Sequence, residues 1–240
     1  MPGAFMYLLW KRKMPILFAT VLILSLAAAE TVWGISQLWR GIWEKEVVIV
    51  IDAGHGGVDP GAVSVNGTAV EKDLNLAIAL KLQSYLQEAG YSVMMTRVVD
   101  EDLAGEVGGS RKQADMKERI RLMEETEGNL MVSIHQNSFP EGKYWGPQVF
   151  FQKHSEKAAA LALLVQSEMN TFTAPENTRQ AKANDSYYIL KNAPMPAILV
   201  ECGFVSNETE AGKLMDETYQ KKVAWGIYSG IEKYLQSDPL

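Results

Sequence analysis

The part of the sequence that follows residue 45 alternates between two kinds of apolar pattern. Short runs of Val, Ile and Leu, typical of buried strands, are separated by longer stretches whose apolar residues recur every three or four positions, as on one face of a helix. Strands that alternate with helices in this way form α/β folds with a largely parallel sheet. We therefore predict a single α/β domain with a twisted, mostly parallel central sheet flanked by helices.

These patterns also predict where the individual elements lie. Residues 100–115 contain three glycines and many charged side chains, which predicts a loop. Asn207 is expected to cap a short helix. The predicted strands are 47–51, 91–96, 130–134, 147–152 and 194–200, and the predicted longer helices are 74–86, 116–127, 157–172 and 219–235.

The first 45 residues have the layout of an export signal. Three basic residues at 11–13 precede sixteen uncharged residues at 14–29, which end in three alanines. Sixteen helical residues span about 24 Å, less than the roughly 30 Å hydrocarbon core of a bilayer. The pattern predicts a signal peptide or an N-terminal apolar anchor helix, and it leaves open whether the segment is cleaved.

Three tryptophans follow this apolar stretch, at Trp33, Trp39 and Trp43, and tryptophan favours membrane interfaces. An uncleaved segment would therefore contact the membrane through residues 14–43. The basic residues on its N-terminal side predict that residues 46–240 are exported across the cytoplasmic membrane, either secreted or anchored. This domain is expected to carry the function.

Charge and cysteine content exclude several classes of function. The net charge of the chain is −6, and basic residues are concentrated in the first 45 positions, so the exported part is more acidic still. Such a surface does not neutralise phosphates, and no nucleic-acid partner is expected. The single cysteine, Cys202, excludes internal disulfides and cysteine-rich zinc sites.

Polar side chains follow three of the predicted strands. His55 comes shortly after the first strand, His135 directly after the third, and Glu201 directly after the last. The carboxyl ends of parallel strands share one edge of a sheet, where α/β proteins bind ligands. Glu71 opens the first helix, near the loop that carries His55. The sequence therefore predicts that these four side chains converge.

Two histidines and a carboxylate are a common ligand set for catalytic zinc, which keeps a fourth position open for water. A further carboxylate is then needed to accept a proton from that water. Glu201 follows four apolar residues, whose low dielectric would raise its pKa and suit it to this role. For the other three residues a purely structural role stays open. His55 could serve a tight turn, His135 could bond to the backbone, and Glu71 could stabilise the start of a helix.

Four segments carry these residues in chain order. They are 52–61 (DAGHGGVDPG), 71–76 (EKDLNL), 133–138 (SIHQNS) and 199–207 (LVECGFVSN). In order and separation they closely resemble the motifs of the zinc-dependent N-acetylmuramoyl-L-alanine amidases, the amidase-3 family. The resemblance covers about residues 47–236.

The resemblance implies that His55, Glu71 and His135 bind one catalytic Zn²⁺ ion and that Glu201 is catalytic. It implies hydrolysis of the amide bond between N-acetylmuramic acid and L-alanine in peptidoglycan, with muramic acid and its stem peptide as substrate. The short form without wall-binding repeats looks most like the germination-specific members in spore-forming bacteria. That subgroup acts in spore cortex maturation, where a peptidoglycan deacetylase acts next and muramic δ-lactam forms.

Two other functions stay open at this point. Cys202 could be the nucleophile of a cell-wall amidase or peptidase, with His55 or His135 as its base, although a small buried cysteine after a strand is the favoured explanation. The chain could also be a membrane-tethered peptidoglycan-binding protein with an inactive site.

Five further polar residues are weaker candidates. Arg97 and Arg119 could contact the anionic stem peptide, but a surface salt bridge is favoured for each. Gln136 and Asn137 could orient a histidine or the substrate. His154 matches no ligand motif and is predicted to lie on the surface near a helix start.

Overall fold

The chain divides after Glu46, and the second unit begins at Val47. The structure, a computed structural model, describes residues 47–105 and 109–237, together with Ser25, Glu30 and Thr31. The predicted signal or anchor segment therefore lies outside the described residues, apart from those three. Across the described ranges, no helix combines the length and the apolar character that crossing a membrane requires.

Strands and helices alternate along the second unit, as the sequence predicts. In chain order they are β1 (Val48–Ala53), α1 (Glu71–Glu88), β2 (Ser92–Met95), α2 (Arg111–Thr126), β3 (Leu130–Asn137), β4 (Gln148–Gln152), α3 (Glu156–Thr173), β5 (Lys182–Asn184), α4 (Tyr188–Asn192), β6 (Ala197–Phe204), α5 (Glu208–Met215) and α6 (Glu217–Ser237).

The six strands form one sheet in the order β2-β1-β3-β6-β4-β5. β1 pairs in parallel with β2 and with β3, and β3 pairs in parallel with β6. β4 runs antiparallel to β6 and parallel to β5. The predicted α/β domain with a mostly parallel sheet is thereby confirmed. The carboxyl ends of β1, β3 and β6 lie side by side at one edge of this sheet.

Helices cover both faces of the sheet. Ile49 and Ile51 of β1 face a core that includes residues of α1, α3, α5 and α6, whereas Val50 between them faces a second core with residues of α2 and α4. All three side chains are fully buried. Burial on both faces explains why the strand is a continuous apolar run rather than an alternating pattern. Polar side chains can therefore reach solvent only near or beyond the ends of such strands.

Some boundaries differ from the sequence prediction. α2 begins at Arg111, earlier than predicted, because the Ser110 hydroxyl accepts a hydrogen bond from the backbone N–H of Gln113 and caps the helix. β3 continues through His135 and β6 through Glu201, so both side chains lie within strands rather than after them.

Two short elements have no counterpart in the sequence prediction. β5 has three residues and α4 has five, which is too short for a period of two or of 3.6 residues to stand out. The cap predicted at Asn207 is confirmed, because its side chain accepts a hydrogen bond from the backbone N–H of Glu210 at the start of α5. His154 is exposed just before α3, also as predicted.

Candidate metal centre

The predicted site residues meet at the carboxyl ends of β1, β3 and β6. His135 of β3 is the register partner of Glu201 of β6, so the two side chains leave neighbouring strands at the same level. His55 follows the end of β1 by two residues, and Glu71 is the first residue of α1. The structure brings all four predicted residues to one place.

The loop after β1 holds His55 in an unusual conformation. Its φ of 61° lies in the left-handed region, which residues other than glycine rarely adopt. Backbone hydrogen bonds in both directions between Gly56 and Asp59 close the turn, and the Asp59 carboxylate lies 2.9 Å from Nδ1 of His55. The other ring nitrogen, Nε2, is thereby directed towards Glu71, whose Oε1 is 3.3 Å away.

Glu71 lies at the centre of the cluster and is only 4 % exposed. Its Oε1 is 2.9 Å from Nδ1 of His135 and accepts a hydrogen bond of 3.1 Å from the backbone N–H of Gln136. Its Oε2 accepts a hydrogen bond of 2.7 Å from the backbone N–H of Ala62. Burial alone would raise the pKa of Glu71, but the hydrogen bonds and positive charge of His135 and His55 hold it well below its usual range.

The same contacts act on the imidazole of His55. Burial alone would lower its pKa, whereas hydrogen bonds and charge from Glu71 and Asp59 outweigh burial and raise it. The two imidazole rings stand edge to face, with centroids 5.0 Å apart. Ring nitrogens and carboxylate oxygen therefore face one another across a small volume.

Donor atoms of His55, Glu71 and His135 lie within 4.8 Å of one another. In the part of the chain that the structure describes, this is the only group of three or more His, Cys, Asp or Glu side chains arranged to share an ion. Two glycines leave the space that the side chains of His135 and Glu71 occupy. A Cβ at Gly54 would lie 2.3 Å from Nε2 of His135, and one at Gly61 would lie 2.5 Å from Oε2 of Glu71.

Glu201 stands beside this group in a different environment. It is 6 % exposed, and its Oε2 has no hydrogen-bond partner among the described residues. Burial is the main cause that raises the pKa of Glu201 to about 7, with a contribution from the charge of Glu71, against the opposing effect of His135. A carboxyl group with this pKa can both accept and donate a proton near neutral pH.

Cys202 points away from the site. Successive side chains of a strand face opposite sides, and Cys202 is fully buried in the core cluster that contains Ile198 and Val200. Burial raises the pKa of its thiol, with a further contribution from the charge of Glu201. The thiolate that a cysteine nucleophile requires is therefore disfavoured.

A cavity of about 390 Å³ opens at the cluster. Besides the four predicted residues, Lys112 and Met116 of α2 line it, together with Tyr187 and Tyr188 at the start of α4. The Lys112 side chain is 71 % exposed and its Nζ lies 3.7 Å from Oδ2 of Asp59. The cavity thus combines a polar floor with a cation and aromatic side chains on its walls.

The prediction of surface salt bridges for the two arginines is wrong. Arg119 is 1 % exposed, and its guanidinium donates 2.6 Å to Oδ1 of Asp52 and 2.8 Å to the carbonyl of His55. Arg97 is also buried and donates to the carbonyls of Ala53 and Gly54. Both guanidinium groups thus bind backbone carbonyls at the end of β1 and in the loop after it, and Arg119 also lines the cavity.

Polar residues around His55, Glu71 and His135 support the cluster, and the sequence points to some of them. Gln136 contributes its backbone N–H to Glu71, and its side chain donates to Asn75, which in turn donates to the carbonyl of Gly54. Asn137 lines the cavity. The one sequence signal for Asp59 is that it follows His55 by four residues within the same motif.

Comparison with known proteins identifies the family. Residues 49–233 match the family Amidase_3, described as N-acetylmuramoyl-L-alanine amidase. The chain belongs to this family. It is 40% identical to the germination-specific N-acetylmuramoyl-L-alanine amidase of Bacillus subtilis, over 80% of this chain and 82% of that protein.

Solved structures of similar amidases agree with the assignment. The CwlD amidase from Clostridioides difficile, solved in complex with the GerS lipoprotein, has 40% identity and a TM-score of 0.77, over 80% of this chain and 100% of that one. The catalytic domain of CwlV from Bacillus (Paenibacillus) polymyxa has 34% identity and a TM-score of 0.66, over 80% and 99%. The chain is thus a hydrolase, an N-acetylmuramoyl-L-alanine amidase of peptidoglycan.

The buried pair under the amidase site leads to a stability prediction. Asp52→Asn removes the buried carboxylate from the Arg119 guanidinium and leaves Asp115, 2.8 Å from Nε, as its remaining charge partner, so we expect the free energy of unfolding to fall by about 2–3 kcal/mol. Urea denaturation measures this loss. Asp185→Asn is the matched control, because Asp185 pairs with Lys153 on the surface and should leave stability close to wild type. A loss below about 1 kcal/mol for Asp52→Asn would contradict the argument.

The pH dependence of the same variant gives a second readout. Burial alone would raise the pKa of Asp52, but Arg119 and the Ser133 hydroxyl lower it to about 2, below its unfolded value. The stabilisation is therefore complete above the unfolded pKa, roughly 3.9, and is lost as the pH falls towards 2. In Asp52→Asn this part of the acid dependence should be absent.

Proposed function

We propose that this chain is an exported, zinc-dependent amidase that cleaves the bond between N-acetylmuramic acid and L-alanine during maturation of the spore cortex. The observation that carries the proposal is the convergence of His55, Glu71 and His135, with Glu201 beside them, whose Oε2 has no hydrogen-bond partner in the described part of the chain. Residues 46–240 form the catalytic domain in this proposal, and residues 1–45 form the signal or anchor.

The donor set fits zinc. Two imidazoles and one carboxylate are a usual protein shell for catalytic zinc, and they leave one position for water or substrate. Asp59 at Nδ1 of His55 is the kind of carboxylate partner that orients a ligating histidine. The backbone N–H of Ala62 fixes the second oxygen of Glu71, so the carboxylate presents Oε1 to both rings. We assign His55, Glu71 and His135 as the residues that would hold the ion.

The zinc site and Glu201 would have different roles in the reaction. Bound zinc would polarise the scissile carbonyl and lower the pKa of a water molecule. Glu201 would accept a proton at Oε2 from the attacking water and then donate it to the nitrogen of the departing L-alanine, as the carbon–nitrogen bond breaks. Its raised pKa, about 7, is suited to both transfers.

The cavity is suited to an anionic peptide attached to a sugar. Lys112 is exposed at its wall, whereas Arg119 is already engaged by Asp52. Tyr188 is partly exposed and lines the same cavity, where an aromatic face can pack against a sugar ring. Muramic acid with its stem peptide offers both kinds of group.

The role in the cortex is supported by the relative from Bacillus subtilis, which is named germination-specific. In such a role the amidase removes the stem peptide from muramic acid, a peptidoglycan deacetylase acts on the product, and muramic δ-lactam forms. Action on peptidoglycan also supports export, with membrane contact through residues 14–43 if the signal is retained.

Digestion of purified peptidoglycan tests the proposed reaction. With zinc present, we expect product mass analysis to show peptides that begin with L-alanine and muramic acid with a free carboxyl group. A chelator should abolish this release, and added zinc should restore it. Cleavage within the peptide or at a glycosidic bond would contradict the assignment. Binding without release of amino groups, even with zinc, would instead favour a wall-binding protein with an inactive site.

Two adjacent substitutions separate the metal mechanism from a cysteine mechanism. Glu201→Gln removes the proton acceptor, and we expect it to lower kcat by about 10²- to 10⁴-fold. Cys202→Ala should keep activity close to wild type, because the thiol lies in the core with a raised pKa. Loss of activity in Cys202→Ala, with a correctly folded protein and an active Glu201→Gln variant, would reverse the conclusion.

The cortex role can be tested in Bacillus subtilis spores. The full chain is expressed during sporulation in a strain that lacks its own germination-specific amidase. We expect muropeptide analysis of the cortex to show muramic δ-lactam again, and the Glu201→Gln variant to leave it absent. A chain that digests peptidoglycan in solution but never restores the lactam would retain the amidase activity and contradict the cortex role.

A further inference from the structure

We propose that Tyr187 is a positioning residue of this amidase, which holds one carboxyl oxygen of Glu201 so that the other faces the reacting atoms. The inference rests on the proposed role of Glu201 and extends it to a residue outside the four sequence motifs. Three observations support it. The two side chains are in contact, the two carboxyl oxygens have different surroundings, and other contacts fix the position of the tyrosine ring.

The Tyr187 hydroxyl donates to Oε1 of Glu201 over 3.4 Å. This is longer than an ordinary O–H···O bond, but catalytic hydrogen bonds are commonly long without substrate and shorten when it binds. Oε2 of the same carboxyl group is buried and has no partner among the described residues. The tyrosine thereby distinguishes two otherwise equivalent oxygens.

Contacts other than the one with Glu201 fix the position of the tyrosine ring. The side-chain oxygen of Asn184, at the end of β5, accepts hydrogen bonds from the backbone N–H groups of Ser186 and Tyr187, at 2.8 and 2.9 Å. Phe150 of β4 packs edge to face against the ring, with centroids 5.4 Å apart. The short β5 and the turn into α4 therefore determine where the hydroxyl lies.

These contacts give β5 and the turn into α4 a function, which is to position the Tyr187 hydroxyl. A glutamate side chain has several rotatable bonds, and burial alone does not select one orientation of its carboxyl group. Tyr187 supplies the missing restraint from a neighbouring part of the fold. Without the hydroxyl, the carboxyl group can rotate, and fewer molecules present Oε2 correctly at any moment.

The variant Tyr187→Phe tests the inference, because it removes only the hydroxyl and keeps the ring against Phe150. We expect kcat on a soluble muropeptide to fall about tenfold, as for loss of a hydrogen bond to a charged group, with KM within about twofold of wild type and an unchanged melting temperature. The matched control is Tyr228→Phe, which removes the same group from α6, away from the cavity, and should keep wild-type activity.

A double variant shows whether Tyr187 acts through Glu201. If it does, Tyr187→Phe should cause no further loss when Glu201 is already glutamine, because effects of residues that act as a unit do not add. A full tenfold loss in that background would overturn the inference, as would an unchanged kcat or a change in KM alone.

Crystal structures give a readout that is independent of activity. Wild-type protein should show a single orientation of the Glu201 carboxyl group, and Tyr187→Phe should show a rotated or divided one. An unaltered carboxyl group in the variant would overturn the inference. Wild-type protein that fails to cleave peptidoglycan with zinc would count against the proposed function instead, and the crystallographic comparison would still decide the role of Tyr187.

Discussion

The buried ion pair between Asp52 and Arg119 is the interaction on which the site depends. Asp52 ends the apolar part of β1 and accepts hydrogen bonds from Thr96, just after β2, and from Ser133 of β3. Arg119 comes from α2 and donates onward to the backbone carbonyl of His55. One carboxylate and one guanidinium thus join three strand segments, a helix and the loop that carries the first histidine. A buried pair of this kind is costly to break, so the loop has little freedom to move.

The two glutamates of the site lie in surroundings that shift their pKa values in opposite directions. Glu71 is contacted by two imidazoles and two backbone N–H groups, and the hydrogen bonds and charge of His135 and His55 hold its pKa low against the effect of burial. Glu201 is buried, the Tyr187 hydroxyl is its one weak donor among the described residues, and burial raises its pKa. Two carboxyl groups in one cavity are thereby suited to different tasks, one to remain charged and one to exchange a proton.

The sequence predicts much of this arrangement for physical reasons. Continuous apolar strands separated by amphipathic helices specify a parallel sheet, and residues at the ends of such strands must share an edge. His55, His135 and Glu201 could be located in this way without knowing any contact. Arg119 could not, because its partner Asp52 lies 67 residues away in sequence, and no local pattern distinguishes a buried arginine on a helix from an exposed one. The antiparallel direction of β4 and the contact of Tyr187 with Glu201 also arise only from the folded chain.

The central claim is that His55, Glu71 and His135 share one zinc ion. Anomalous diffraction at the zinc absorption edge, from crystals of zinc-loaded protein, tests it most directly. The account predicts one strong peak at about 2.0–2.2 Å from a ring nitrogen of each histidine and from a carboxylate oxygen of Glu71, with Glu201 nearby and not bonded to the ion. A peak bonded to other side chains, or no peak at this site in zinc-saturated crystals, would contradict it.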